Sequence, residues 1–181
     1  MPALPSRAPR TALPPSGPQI SDPLELLLAC HDKVRHFTGL LQRLEAHVRS
    51  TGADTQAQDA ARAVLRYFEM AAPKHHADED QDLFPALMRL NDSALNDTMA
   101  QLSLQHDQLG VIWLQVASWL QALILGDSVS LPIPIDAIQA FCTGYQAHAR
   151  LEEAQVFPHA QRLPPDALAQ VAAAMVARRT A

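Results

Sequence analysis

The sequence predicts an all-α protein, an up-down-up-down four-helix bundle followed by a short fifth helix at the C-terminus. Of its 181 residues, 48% are hydrophobic but only 5% are aromatic, and six are glycine, a composition that favours helices over strands. Apolar residues recur at spacings of three and four along four long stretches that short loops join. No short run alternates between apolar and polar residues, so strands do not compete with this prediction.

The N-terminal arm, residues 1–20, is predicted to be disordered. It contains six of the fourteen prolines and has no apolar periodicity. Its only charged residues are Arg7 and Arg10, so the rest of the chain carries a net charge of −7, compared with −5 for the whole. A domain this acidic, without a basic stripe, argues against nucleic acid as its main partner.

The first helix opens the bundle, which is assigned to residues 21–163. Asp22 can cap this helix, Pro23 suits its first position, and Glu25 stands where a capping box places an acid. The helix is predicted to run from about Pro23 to Arg49. Its buried face is marked by residues at spacings of three and four, namely Leu24, Leu27, Leu28, His31, Val34, Phe37, Leu41 and Leu44.

The second helix, predicted over roughly residues 55–90, contains two prolines. Because proline lacks an N–H group and its ring clashes with the preceding turn, a kink is expected at residues 70–73, where Pro73 stands. Pro85 predicts another bend or the end of the regular helix.

Turn-forming residues separate the remaining helices. Residues 91–93 supply a loop and a cap for the third helix, which is predicted over about residues 93–125. After a second loop, the fourth helix is predicted over about residues 135–163. Residues 164–181 then form a short, alanine-rich helical extension.

The compartment is expected to be the cytoplasm. Cys30 and Cys142 do not form a CxxC motif, and two buried thiols suit a reducing environment. The N-terminus lacks the apolar core of a secretory signal, and the apolar run 111–125 is predicted to be too short and too polar to span a bilayer. We therefore expect a soluble protein that binds neither a membrane nor nucleic acid.

One motif occurs twice in the chain. The pattern H-x3-E-x3-[LV]-F-P begins at His75, with Glu79 as its acid, and begins again 73 residues later at His148, with Glu152 as its acid. A single H-x3-E pair arises often by chance. Two copies that share the same downstream residues indicate a common purpose.

A second pair of matching residues accompanies the repeat. A His-Asp dipeptide begins at His31 on the first helix and again at His106 on the third, 75 residues later. His31 precedes the first motif by 44 residues, and His106 precedes the second by 42. Each half of the chain therefore supplies one His-Asp helix and one H-x3-E helix, which predicts a pseudo-two-fold bundle with a site at its centre.

The residue types predict a metal site. Residues four apart lie on one helix face, with Cβ atoms ~6 Å apart, so a His and a Glu at this spacing can hold one ion together. Imidazole nitrogens and carboxylate oxygens suit iron, manganese or zinc rather than calcium, and a carboxylate can bridge two ions. The predicted ligands form two triads, His31/His75/Glu79 and His106/His148/Glu152.

At these residues the chain resembles the hemerythrin-like, or HHE cation-binding, domain family, over about residues 22–162. The resemblance implies two iron ions bridged by carboxylates and by an oxo or hydroxo group, with manganese or zinc as possible substitutes. It also implies that the four histidines are terminal ligands and that Glu79 and Glu152 are the bridges.

The chain departs from the oxygen-carrying hemerythrins at two positions. Those carry a second histidine four residues after the third-helix ligand, where this chain has Gly110, and Glu152 replaces an aspartate bridge. These features resemble the branch linked to oxygen, nitric oxide or iron sensing, with a small diatomic ligand as the expected partner. The alternatives are a di-iron oxidase, peroxidase or nitric oxide reductase, and a metal-free interaction bundle.

Several neighbouring residues leave alternatives open. His76 is rotated by ~100° from His75, so either could bind metal, although the shared motif favours His75. His36 is expected to miss the site. Tyr145 can hydrogen-bond a bound ligand or a bridging carboxylate, or it can be a core residue. Most of four nearby acids are expected on a solvated face, with one a possible acceptor for a ligand N–H group: Asp78, Asp80, Asp82 and Glu153.

Overall fold

Four long antiparallel helices and a shorter fifth helix make up the protein in the computed structural model, which describes residues 22–126 and 132–180. The predicted all-α class is confirmed. The first four helices pack in cyclic order, each against its two sequence neighbours, with the fourth closing onto the first. The helices are α1 (Pro23–Thr51), α2 (Thr55–Arg66, continued by helical segments to Met88), α3 (Ser93–Leu125), α4 (Ile135–Gln155) and α5 (Pro165–Thr180). The predicted disordered arm lies outside the described residues.

Side-chain caps fix the starts of the first three helices. The Asp22 carboxylate accepts a hydrogen bond of 2.8 Å from the Leu24 N–H group, with Pro23 at the first helical position, as the sequence predicts. Helix α1 extends two residues beyond the predicted Arg49 and ends at Gly52, whose φ of 90° is one that glycine adopts without strain.

Both prolines of α2 follow a π-helical turn. The turn Tyr67–Ala71 leads to Pro73, and the turn Glu79–Leu83 leads to Pro85, with the α-helical segment Ala72–Asp78 between them. In each turn a backbone N–H group bonds to the carbonyl five residues earlier, which widens the helix where the proline ring needs room. A π turn thus precedes each proline at which the sequence predicts a bend, and the last α-helical segment ends at Met88 rather than at residue 90.

Helix α4 ends earlier than the sequence predicts. It stops at Gln155 instead of Leu163, and a 3-10 helix, Phe157–Arg162, follows. Pro158 explains the difference, because it supplies no N–H group and disfavours regular helix in the residue before it. In the other copy of the motif, the π turn allows the helix to continue past Pro85.

Helix α5 packs against α1 and against the middle of α2. Arg178 and Arg179 near its end both donate hydrogen bonds to the carboxylate of Asp78, and Arg178 also reaches Asp82. The expectation that Asp78 lies on a solvated face is wrong, because the side chain is fully buried beneath α5. An unpaired buried carboxylate would be costly, and the two guanidinium groups supply its partners.

The bundle interior is divided into two apolar clusters with a polar layer between them. Along each of the first four helices, a residue of one apolar cluster comes first, a histidine of the polar layer follows, and a residue of the other apolar cluster comes last. The sequences of these positions are Leu27-His31-Val34, Ala72-His75-Leu83, Leu102-His106-Leu109 and Tyr145-His148-Val156. The polar layer is thus enclosed by packed side chains at both ends.

One described helix, Ser93–Leu125, is long and apolar enough to cross a bilayer by length and composition alone. Buried core helices of bundles can have the same composition. The expectation that residues 111–125 are too short to span a membrane therefore does not extend to the whole of α3.

Candidate metal centre

The six predicted ligands meet in the polar layer at the centre of the bundle. They account for six of the eight buried polar or charged side chains in the part of the chain that the structure describes. His106 is the most accessible of them, at 7% exposure. The structure thus brings together His31, His75, Glu79, His106, His148 and Glu152.

Glu79 reaches both sides of this layer. Its Oε1 atom lies 3.5 Å from Nε2 of His75 and 3.9 Å from Nε2 of His31, while its Oε2 atom lies 3.5 Å from Nε2 of His106. One carboxylate therefore presents one oxygen to the pair of histidines from the first half of the chain and the other oxygen to the second half.

Glu152 does the same from the opposite direction. Its Oε2 atom lies 3.1 Å from Nε2 of His31, and its Oε1 atom lies 3.2 Å from Nε2 of His148 and 3.9 Å from Nε2 of His106. Each glutamate thus lies close to histidines from both halves of the chain. The donor atoms form two groups, each with all its atoms within 4.8 Å of one another: His31, His75, Glu79 and Glu152, and Glu79, His106, His148 and Glu152.

Several of these donor atoms have no protein partner. The buried side-chain atoms without a hydrogen bond, among the described residues, include both ring nitrogens of His75, both oxygens of Glu79 and Oε1 of Glu152. The remaining one is Oδ1 of Asn96. Buried polar groups are normally paired, so five orphaned donor atoms converging on one layer fit ions held between the two glutamates.

An acid that directly follows each glutamate holds the outer nitrogen of a histidine from another helix. His31 donates from Nδ1 to Glu153 at 2.8 Å, and His106 donates from Nδ1 to Asp80 at 2.7 Å. Arg35 also binds Glu153 at 2.5 Å. These bonds fix the ring orientation and turn the inner nitrogen, Nε2, toward the two glutamates, the arrangement usual for metal-ligating histidines.

The outer nitrogen of His148 is held by an amide instead. Its Nδ1 atom donates to the Gln105 side-chain oxygen at 2.9 Å. Gln105 is not among the acids that the sequence predicts as possible acceptors. The acid after each motif glutamate, Asp80 and Glu153, was a usable signal, because the E-[DE] dipeptide recurs in both copies.

The pKa values of the Glu79 and Glu152 carboxylates are shifted in opposite directions. Burial, together with the nearby Glu152, raises the pKa of Glu79 well above its usual range. Burial also acts to raise the pKa of Glu152, but hydrogen bonds from His148 and His31 outweigh it and bring the net pKa below its usual range. Without metal, the two carboxylates therefore favour sharing one proton.

The histidines differ as well. Burial, reinforced by the nearby His31, lowers the pKa of His75 to about 3, so its ring is neutral at physiological pH. Burial also acts to lower the pKa of His106, but hydrogen bonds to Asp80 and Glu79 raise it to about 10. A metal ion must displace this proton from His106, since only neutral imidazole binds metal.

His76 lies beside the layer rather than in solvent. Its ring stacks on that of His106, with centroids 4.0 Å apart, and its Nε2 atom is hydrogen-bonded to the Tyr145 hydroxyl at 2.8 Å. Tyr145 thus contacts a histidine, not a bridging carboxylate. His36 is exposed and meets the Phe37 ring edge to face, as expected of a residue outside the site.

A cavity of about 230 Å³ opens beside His106. Gly110 lines it, and a Cβ atom at this position would meet nothing within 4 Å. The remaining walls are mainly aromatic and apolar. The cavity is lined by Phe68, Ala72, Pro73, His76, His106, Leu109, Gly110, Trp113, Phe141 and Tyr145.

The fold and the convergent donor set define a metal-binding four-helix bundle. The particular family follows from comparison with known proteins, since the hemerythrin HHE cation-binding domain matches residues 22–160. The chain belongs to this family. A Haemophilus influenzae protein described as uncharacterized is 31% identical over 159 residues, which cover 88% of this chain and 91% of that protein.

Proposed function

We propose that this protein holds two iron ions in the polar layer and uses them to bind or sense a small diatomic molecule, oxygen or nitric oxide, in the cytoplasm. The observation that carries the proposal is the placement of the two glutamates. Each directs one carboxylate oxygen to each half of the site, as a bridging ligand does.

The donor set supports iron as the metal. Four imidazoles and two carboxylates give a mixed nitrogen and oxygen environment, without thiolates, which suits iron and also admits manganese or zinc. His31, His75, His106 and His148 would be the terminal ligands. When bound, iron would supply the redox activity and the affinity for diatomic molecules that the protein side chains lack.

The surroundings of the site support a small ligand. The cavity beside His106 is lined mainly by apolar and aromatic side chains, so it suits an uncharged molecule better than an ion. On the opposite side, His31 is fully buried and the Phe157 ring stacks on it with centroids 5.3 Å apart. A ligand would therefore approach the His106 and His148 side.

Metal analysis tests the ligand assignment. Protein purified without oxygen should contain about two irons per chain, as in other carboxylate-bridged bundles. The double variant His75→Ala, His148→Ala removes one imidazole from each side and should lose most of this iron. A variant that replaces His36 and His159, both outside the donor groups, serves as the matched control. Full iron content in the His75/His148 variant would overturn the assignment.

A redox enzyme is the second candidate function, because the cavity exceeds the volume of a diatomic molecule. Mixing the reduced, iron-loaded protein with oxygen or nitric oxide separates the two. A spectral change that reverses when the gas is removed supports binding or sensing. Irreversible oxidation, with repeated turnover when a reductant is supplied, supports an enzyme.

A further inference from the structure

His76 stands outside the predicted ligand set, yet it is positioned at the site. One ring nitrogen each from His76, His106 and His148 lies within 4.8 Å of the others. The stacking of His76 on His106 brings its ring to the side of the layer that faces the cavity. This placement gives the second half of the site a potential third imidazole.

Helix geometry explains how two consecutive histidines both reach the centre. Neighbouring residues on an α-helix point about 100° apart. Because α2 packs between α1 and α3, His75 turns toward His31 of α1, with ring centroids 5.0 Å apart, while His76 turns toward His106 of α3. The HH dipeptide therefore serves both halves of the site.

His76 also engages one ring nitrogen with a protein oxygen, but through Nε2, whereas the other histidines use Nδ1. His31, His106 and His148 each bind a protein oxygen through the outer nitrogen and direct the other nitrogen inward. Nε2 of His76 is bound to the Tyr145 hydroxyl, a buried group that has no other hydrogen bond among the described residues. This arrangement leaves Nδ1 of His76 as its metal-binding atom.

We propose that His76 is a fifth imidazole ligand, for the ion on the His106 and His148 side, and that Tyr145 is the positioning residue that holds it. The inference rests on the proposed di-iron function and adds one ligand to it. It places this imidazole on α2, beside the cavity that Gly110 of α3 also lines. A molecule entering from the cavity would meet the imidazoles of His76 and His106.

Counting coordinated imidazoles tests the proposal. Wild-type protein and the His76→Ala variant, both with ¹⁵N-labelled histidine and loaded with iron, are compared by pulsed EPR in the one-electron-reduced state. We expect one fewer coordinated imidazole in His76→Ala, and release of one iron to a chelator roughly 10–100-fold faster than in wild type. Free imidazole should fill the space left in this variant and slow the release again.

Two further variants separate ligation from packing. His76→Gln retains a polar side chain of similar size and should also lose one coordinated imidazole. It provides the comparison if His76→Ala folds poorly. Tyr145→Phe keeps the ring but removes the hydroxyl, so the imidazole count should stay at the wild-type value while iron release becomes faster. His36→Ala should match wild type in both measurements.

The outcomes distinguish this inference from the function on which it rests. Wild-type protein that fails to hold two irons overturns the proposed function and the fifth ligand together. If wild type and the folded His76 variants hold two irons with the same imidazole count and the same release rate, the fifth ligand alone is overturned.

Discussion

The two copies of the H-x3-E motif share a sequence pattern but occupy different surroundings. In the first copy, a π turn at Glu79–Leu83 lets α2 continue past Pro85, whereas α4 ends at Gln155, before Pro158 of the second copy. His31 is fully buried and the Phe157 ring stacks on it, while the His106 side adjoins a cavity. The repeat thus sets the spacing of the candidate ligands, and the neighbouring elements determine how accessible and how charged each half of the site is.

The largest expected effect comes from the residues that both halves share. Glu79→Ala removes a carboxylate that contacts both sides, so we expect loss of both irons rather than one. Removing His31 and His75 together should leave about one iron per chain, on the other side. Elemental analysis of the purified variants measures this directly.

A matched control for this experiment is Glu69→Ala. Glu69 lies on α2 in the other π turn but is exposed, so its loss should leave the iron content unchanged. If Glu79→Ala retained one iron, the two halves would not share this bridge.

The next largest effect concerns a position at which the two copies differ. Asp78 lies three residues after His75, and the corresponding residue in the second copy is Leu151. The double variant Arg178→Ala, Arg179→Ala leaves the buried Asp78 carboxylate without its cationic partners, which should lower the free energy of unfolding by about 3–5 kcal/mol. Urea denaturation measures the change.

Adding Asp78→Leu to that double variant should recover most of the lost stability. Leucine copies the second motif and leaves no buried charge to compensate. If the triple variant is no more stable than the double, the cost arises from lost packing of α5 rather than from the unpaired carboxylate.

A smaller effect is expected from the acids that follow the two glutamates. Asp80→Ala and Glu153→Ala each remove the acceptor for the outer nitrogen of one ligand histidine, His106 or His31. Each should weaken iron binding roughly 10–100-fold without removing a ligand. Competition with a coloured chelator gives the affinities. Unchanged affinity in both variants would show that ring packing alone orients these histidines.

Local signals explain how much of this architecture the sequence could predict. Apolar periodicity and caps such as Asp22 act within a few residues, so the starts of the helices were predicted closely. The burial of Asp78 depends on contacts with Arg178 and Arg179, a hundred residues further along the chain, and no local pattern indicates it. The repeat predicts six metal ligands because these residues match between the two halves of the chain. His76 has no counterpart after His148, so the repeat favours His75 over it.

Acidity should distinguish the two halves of the metal-free protein. The pKa of His75 is lowered to about 3, so its stabilising contribution is present above the ordinary histidine pKa of about 6.5 and is lost as the pH falls toward 3. The pKa of His106 is raised to about 10, so its contribution is present below about 6.5 and is lost as the pH rises toward 10.

The measurement compares each histidine with its Gln variant by urea unfolding in a chelator. The stability of wild type relative to His75→Gln should fall by about 2 kcal/mol from pH 7 to pH 5. Relative to His106→Gln, it should fall by a similar amount from pH 7 to pH 9. The same sign of pH dependence for both histidines would contradict the assigned difference between the halves.

The smallest effect concerns two glycines, each one helical turn from a ligand histidine. Gly110 follows His106 by four residues in α3, and Gly144 precedes His148 by four in α4. Alanine favours helix over glycine by up to about 1 kcal/mol, and a Cβ atom at position 110 meets nothing within 4 Å, so Gly110→Ala should stabilise the fold by about 0.5–1 kcal/mol. A Cβ atom at position 144 would lie 3.1 Å from Cδ2 of the buried Leu109, which must move to accommodate it. Gly144→Ala should therefore stabilise less than Gly110→Ala, and equal gains in urea denaturation would mean that the contact with Leu109 relaxes at no cost.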